Sequence, residues 1–256
     1  MAERPTQADS FRKQTDRLPS KSVLKTGCQP FTLPPDESEK LERIVEASPA
    51  LKKGTHLFHQ GDPFMSIFTV RAGTLKTYTV TNEGEEQITG FYFPGEVVAL
   101  GGIGNDEHPV SAKTLETTSV LEYSYQQLDA LAGQIPSLRT QLINCLSKEI
   151  REEQQMMLLL SKKTAEQRVA TFLYKLSIRF KLRGYSATLF RLSMSRNEIG
   201  NYLGLAVETV SRIFTRFQKQ QLINVEGKEI EILTLDRLYT MTGDDKESVE
   251  ESMEYR

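Results

Sequence analysis

Between Leu51 and Tyr125 apolar residues fall in short runs, such as Ser66-Ile67-Phe68-Thr69-Val70 and Leu75-Lys76-Thr77-Tyr78-Thr79-Val80. Glycines 54, 61, 73, 84 and 95 punctuate them at spacings of 7, 12, 11 and 11. β-Branched and aromatic runs with a turn signal roughly every 8–12 residues predict an antiparallel sandwich or barrel. Ahead of it, Leu41, Ile44 and Val45 predict a short helix over Asp36 to Glu46.

After Ser124 the period lengthens. No Gly or Pro occurs between Ser137 and Arg183, which predicts a long helix interrupted at most once. Within it Ile143, Leu146, Ile150, Glu153, Met157 and Leu160 follow 3-4-3-4-3 spacing, the seam of a parallel two-stranded coiled coil. An amphipathic helix packed on its own sheet shares that spacing, but the flanking Lys148, Glu149, Arg151 and Glu152 favour a seam between two copies. Glu153 would face its own copy there, and like charges repel, so this position tunes dimer formation.

A third pattern follows. Ser195-Arg196-Asn197-Glu198 is a capping box that starts a helix at Arg196, running through Ile199 and Leu203 to Gly204. Gly204 and Leu205 turn the chain, and a second helix runs from Val207 to Gln220. It puts Val210, Ile213, Phe214 and Phe217 on one face and Glu208, Ser211, Arg212 and Thr215 on the other. Leu222 to Ile232 alternates around Gly227 as a small hairpin, which completes a winged helix-turn-helix.

That outer face suits base reading. Arg donates two bonds to guanine, Glu accepts from cytosine, and an apolar residue contacts a thymine methyl. Val207, Glu208, Ser211 and Arg212 are therefore the candidate base contacts, and Arg196, Thr209, Thr215, Arg216 and Lys219 the candidate phosphate contacts. Charge agrees with this. The net charge is −2, yet Ser161 to Gln220 holds twelve Lys/Arg against three Asp/Glu, a local +9 that leaves −11 for the remainder. A basic block in an acidic protein is what phosphate neutralisation requires.

Here the residues carry a family resemblance. From Cys28 to Ile232 the chain resembles the cyclic-AMP receptor protein/fumarate-nitrate regulator (CRP/FNR) superfamily of bacterial transcription regulators, in its FNR/Anr branch. The carrying segments are Glu85-Glu86-Gln87-Ile88-Thr89-Gly90-Phe91, Met156 through Lys163, and Asn197 through Leu205. Val207-Glu208-Thr209-Val210-Ser211-Arg212 resembles the branch's recognition helix, with its E-x-x-S-R triad present. The resemblance implies an α+β fold: an N-terminal cyclic-nucleotide-binding-like β-roll (an antiparallel jelly roll), a long dimerisation helix and the winged helix-turn-helix. It also implies a homodimer on double-stranded DNA, a TTGAT-N4-ATCAA-like palindrome, and RNA polymerase as partner. The cyclic-AMP receptor protein has Arg at the position of Val207 and Gly at that of Ser211, so its operator fits less well.

What would be sensed is a separate matter. The FNR branch holds an iron–sulfur cluster on four cysteines, three spaced C-x2-C-x5-C and a fourth in the β domain. With Cys28 as the third, Pro19 and Ser22 occupy the first two positions and Leu121 the fourth. A 4Fe-4S cluster of the usual kind is not expected. Cyclic nucleotides need a carboxylate and an Arg in the β-roll, and the matching Gly95 to Ala112 contains no Arg, so cyclic AMP is not expected either. His56 and His59 could ligate a metal or haem, but without a Cys or Glu partner they read as structural and no metal is expected. Cys28 and Cys145 are the candidates for thiol redox, with a plain buried side chain the more ordinary reading of Cys145. Haem or nitric oxide sensing, another ligand in the β-roll, and a constitutive dimer regulated by abundance all stay open.

The expected boundaries are 1–27 flexible, 28–135 β-roll, 136–162 dimerisation helix, 163–240 winged helix-turn-helix and 241–256 a mobile acidic tail. Residues 1–25 are polar without a signal-peptide core, and nowhere do eighteen apolar residues run together, so a cytoplasmic location without membrane contact is expected. The two cysteines match no zinc or disulfide framework. An enzyme on a β-roll scaffold is the distant alternative; no Ser/His/Asp or Cys/His motif and no phosphate loop supports it.

Overall fold

Ile67 and Phe68 point to opposite sides of one strand, and both are buried. That double burial sets the layering of the first half of the chain. The computed structural model describes residues 30–244; Cys28, the segment 1–27 and most of the acidic tail lie outside them. The described chain divides into two compact units, with the break between Ile150 and Arg151 inside one continuous helix.

The first unit opens with α1 (Pro35–Glu42), followed by β1 (Val45–Ala47), β2 (His56–Phe58), β3 (Ser66–Ala72), β4 (Leu75–Val80), β5 (Glu86–Tyr92), β6 (Val97–Val98), β7 (Ser111–Thr114) and β8 (Ser119–Ser124). The strands form two four-stranded sheets, ordered β1-β8-β3-β6 and β2-β7-β4-β5, and all their pairings are antiparallel. This is the expected β-roll. Helix α2 (Tyr125–Gln134) follows and ends just before Pro136, which starts the long helix α3 (Pro136–Lys162).

Two apolar clusters fill this unit. Phe58, Phe68, Val70, Leu75, Val98, Ala112 and Val120 make one. Ile67, Leu121 and Tyr123 join Leu41, Leu128, Leu131, Ile135 and Leu138 from the helices in the other. Strands β3 and β8 contribute to both clusters, since alternate side chains leave a strand on opposite faces. Strand β3 is therefore buried without a break from Ser66 to Val70 rather than at alternate positions.

The expected helix over Asp36 to Glu46 stops at Glu42. The reason is tertiary: Val45, Glu46 and Ala47 pair with Tyr123, Glu122 and Leu121 of β8, so residues with helical spacing are drawn into a sheet edge. The sheet begins six residues earlier than Leu51, at Val45.

In the second unit the long helix is interrupted once, as the sequence predicts. Thr164 caps α4 (Ala165–Leu182) through a capping box with Gln167. After it come β9 (Leu189–Arg191), α5 (Arg196–Leu203), α6 (Val207–Lys219), β10 (Ile223–Glu226), β11 (Glu229–Ile232) and α7 (Leu235–Thr242). The wing has three strands, ordered β10-β11-β9, one more than the expected hairpin. Helix α7 overturns part of the tail assignment. Met241 and Thr242 are helical, and the Asp244 carboxylate lies 2.6 Å from Lys163 Nζ. Among the described residues no helix is long and apolar enough to cross a membrane.

Within the first unit His108 is only 4% exposed and stacks on the Phe58 ring at 3.8 Å between centroids. Its Nδ1 is buried without a hydrogen-bond partner. Burial lowers its pKa from 6.5 to about 4, against a weaker upward pull from Asp62. The folded pKa lies below the unfolded one, so the unfolded chain binds more protons between these values. Stability from this group is complete above pH 6.5 and declines as pH falls towards about 4. Urea unfolding at pH 7.5 and 4.5 should show a larger acid loss for the wild type than for His108→Leu; an identical loss would refute the assignment.

Candidate nucleic-acid interface

Helix α5 has only eight residues, too few to be stable without its ends being satisfied. Ser195 Oγ accepts from the Glu198 N–H at 3.2 Å, and the Glu198 carboxylate accepts from the Ser195 N–H at 2.9 Å, forming the predicted capping box. At the other end Gly204 adopts φ 63°, the left-handed region that favours glycine. The Leu205 N–H then donates to Gly200 O at 2.8 Å. A Cβ on Gly200 would lie 2.6 Å from Leu205 O, so the turn closes tightly only because that position has no side chain.

Helix α6 leaves this turn at Val207. Val210, Ile213, Phe214 and Phe217 are buried, while Glu208, Ser211, Arg212, Thr215 and Lys219 are exposed. At about 100° per residue the two sets centre roughly 160° apart, so burying one turns the other outward. Val207 and Thr209 are half-buried beside the exposed set. The exposed polar groups are partly engaged by the helix itself. Ser211 Oγ donates to Val207 O at 2.9 Å, Thr215 Oγ1 to Ser211 O at 3.0 Å, and Arg212 Nη2 to Thr209 Oγ1 at 3.2 Å. Arg212 thereby uses one of its five donors and keeps a held orientation on the outer face.

The candidate phosphate contacts do not form one set. Arg196 lies over the Phe214 ring, its guanidinium carbon 3.4 Å from the centroid, and covers the core of the reading helix. Burial lowers its pKa to about 10, which still leaves it charged at neutral pH. Arg216 is ion-paired with Glu166 of α4. Lys219 is exposed near the end of α6. Two basic residues that sequence reasoning missed are Arg191 on β9, in register with Glu229, and Lys228 beside the Gly227 turn, whose Nζ donates to Ser193 O at 2.9 Å. Their signal was weak, since β9 is three residues long.

The expected seam divides as well. Ile143, Ile150 and Met157 recur every seven residues along α3 and are 55%, 56% and 71% exposed. Glu153 stands exposed between the last two. Leu146 is partly buried against its own helix and sheet core, and Leu160 is half-buried. Cys145 also packs on that core. Burial pushes its thiol up, with Lys148 opposing and Glu149 adding to the shift. Thiolate is the reactive form, and burial disfavours it, as the plain buried side chain, the more ordinary reading of Cys145, requires.

His56 lies against both His59 and Tyr78. His56 Nε2 lies 2.8 Å from the Tyr78 hydroxyl, and the His56 and His59 rings are 4.2 Å apart. Among the described residues no group of three or more His, Cys, Asp or Glu is placed to hold a metal ion.

Residues 167–241 match the Crp-like helix-turn-helix domain family, and residues 49–134 match the cyclic nucleotide-binding domain family. The chain is 58% identical over 216 residues to the transcriptional activator protein Anr of Pseudomonas aeruginosa, covering 84% of this chain and 88% of that protein. The chain belongs to the CRP/FNR family of transcription regulators. The fumarate and nitrate reduction regulatory protein of Vibrio cholerae is 48% identical over 221 residues, covering 86% of this chain and 88% of the relative. Among solved structures FixK2 of Bradyrhizobium japonicum superposes with a TM-score of 0.73 at 29% identity, covering 79% of this chain and 99% of FixK2. As a CRP/FNR regulator the chain is a DNA-binding protein and not an enzyme.

Removing the cap should weaken this unit. Ser195→Ala is expected to cost about 1 kcal/mol of stability, read by urea unfolding followed in the second unit. An unchanged midpoint would show that the capping box contributes nothing there.

Proposed function

We propose that this CRP/FNR protein works in the cytoplasm as a homodimer, reading a TTGAT-N4-ATCAA-like palindrome with one α6 per half-site and acting through contacts with RNA polymerase. One observation carries the reading: Glu208, Ser211 and Arg212 stand together on the solvent face of a helix whose other face is buried. Arg212 pairs with guanine, Glu208 accepts from cytosine, Val207 meets a thymine methyl, and Ser211 supports the reading from the same edge. Lys219, Thr209 and Thr215 serve the flanking phosphates. Arg196 does so from its place over Phe214, and Arg216 by exchanging Glu166 for phosphate.

The stripe of Ile143, Ile150 and Met157 supports a second copy as its cover. A heptad of exposed apolar side chains on a helix is unfavourable in water and is buried when two such helices pair.

We further propose that the protein acts without a 4Fe-4S cluster of the usual kind and without cyclic AMP. Leu121 holds the position of the fourth cluster ligand. It offers only carbon, and it is 1% exposed within the core shared by β8 and the helices. The Glu96 carboxylate, which a ribose would need, accepts from the Phe93 N–H at 3.0 Å.

Aerobically purified protein should bind the palindrome in preference to scrambled DNA, with affinity falling steeply as salt rises. Equal binding of both sequences in a fluorescence anisotropy titration would count decisively against the reading. Arg212→Ala should cost roughly 1–3 kcal/mol and relax selectivity at its guanine. An unchanged base preference would remove that pairing. Ile150→Glu combined with Met157→Glu should give a monomer by light scattering at micromolar concentration, and a persistent dimer would place the interface elsewhere.

A further inference from the structure

Three backbone carbonyls in the second unit, one in the last turn of α3, one in the link between α3 and α4 and one at the end of α5, are taken by a single side chain. Leu160 O lies in the last turn of α3, where the next N–H in line, that of Thr164, donates to Gln167 Oε1 instead. Lys163 O is left over because the Gln167 N–H donates to Thr164 Oγ1 in the capping box. Leu203 O ends α5, where Gly204 N–H and Leu205 N–H turn back to Asn201 and Gly200. The last carbonyls of a helix are orphaned acceptors at the negative end of its dipole.

Arg168, in the first turn of α4, donates Nη2 to Leu160 O at 2.7 Å, Nε to Lys163 O at 3.1 Å and Nη1 to Leu203 O at 3.0 Å. The fit is close from the other side too. A Cβ on Gly204 would lie 3.4 Å from Arg168 Nη1 and 3.6 Å from Leu160 Cδ2. The joint has a second tie, since Lys163 Nζ reaches Asp244 Oδ2 at 2.6 Å and Thr171 Oγ1 at 3.0 Å.

Sequence position gives these bonds their meaning. Leu160 stands three residues after Met157 of the exposed stripe, and Leu203 stands four residues before Val207 of the reading helix. We propose that Arg168 is the positioning residue that locks the turn ahead of α6 to the last turn of α3, and so sets the distance between the two reading helices of a dimer. This rests on the homodimer and palindrome reading above. Two helices entering successive major grooves must stand about one helical turn, roughly 34 Å, apart. A planar guanidinium with donors on three nitrogens can hold three carbonyls that converge from two helix ends and the link between α3 and α4. An ammonium also has three N–H donors, but all on one nitrogen, so it cannot reach carbonyls spaced for Nε, Nη1 and Nη2.

The test uses the full chain, as wild type, Arg168→Gln and Arg168→Lys, on palindromes with three, four and five base pairs between half-sites. The wild type is expected to prefer the four-base-pair spacer sharply. Both variants are expected to lose roughly tenfold on that spacer, to bind all three spacers alike, and to keep the wild-type dependence of affinity on salt. If Arg168→Gln does not fold, Arg168→Lys, which keeps the aliphatic stem, carries the comparison. Variants that retain the wild-type spacer preference, whatever their affinity, overturn the proposal, because a role in stability alone lowers binding to every spacer equally. A salt dependence weakened by about one phosphate in Arg168→Gln and restored in Arg168→Lys also overturns it, by making Arg168 a DNA contact. Wild-type protein that shows no preference between palindrome and scrambled DNA would instead sink the palindrome reading, independently of Arg168.

Discussion

Val210, Ile213, Phe214 and Phe217 leave water along one side of α6, and the rotation of that helix about its own axis follows from their burial. Everything the outer face can do depends on that rotation. Turning the helix by one residue position, about 100°, would bury a charge in place of an aromatic ring, at a cost of several kcal/mol. The same four side chains thus hold the fold together and aim Glu208, Ser211 and Arg212. The capping box at Ser195, the left-handed Gly204 and the Arg196 guanidinium over Phe214 all act to bring the chain into α6 at that setting.

The parts of this arrangement that were legible in the sequence are those fixed by neighbours. The capping box needs residues three apart, the turn needs one glycine, and the two faces of α6 need only a 3.6-residue period, so each is complete within a short window. The β-roll was legible for a related reason, because glycine-punctuated runs report turns locally. Long-range partners were not visible. Phe214 follows Arg196 by eighteen positions and Glu166 precedes Arg216 by fifty, and nothing in a linear pattern says that either arginine is already engaged. The early end of α1 has the same cause, since the pairing of Val45 with Tyr123 joins residues far apart in the chain. Leu146 also shows the limit: heptad spacing is shared by a seam facing another copy and a flank resting on its own core.

Strand β8 is packed from both sides. Val120 and Leu121 face opposite sides of the sheet and are buried in different clusters. The Leu121 methyl groups belong to the packing between a sheet and the helices that follow, and the strand is held by apolar contact on both faces. The neighbouring Cys145 follows the same logic, as a sulfur kept protonated by the apolar surroundings into which it packs.

The bond between Lys163 and Asp244 extends this to the end of the described chain. A carboxylate donated from beyond α7 sits against the junction of two helices more than eighty positions earlier, and the Tyr239 hydroxyl holds the backbone carbonyl of the same aspartate at 3.0 Å. Shortening the protein to residue 243 would therefore remove a counter-ion from the joint while leaving every helix intact. A tag fused directly behind Asp244 would sit beside that joint, so this point in the polypeptide is a poor place for edits meant to be silent.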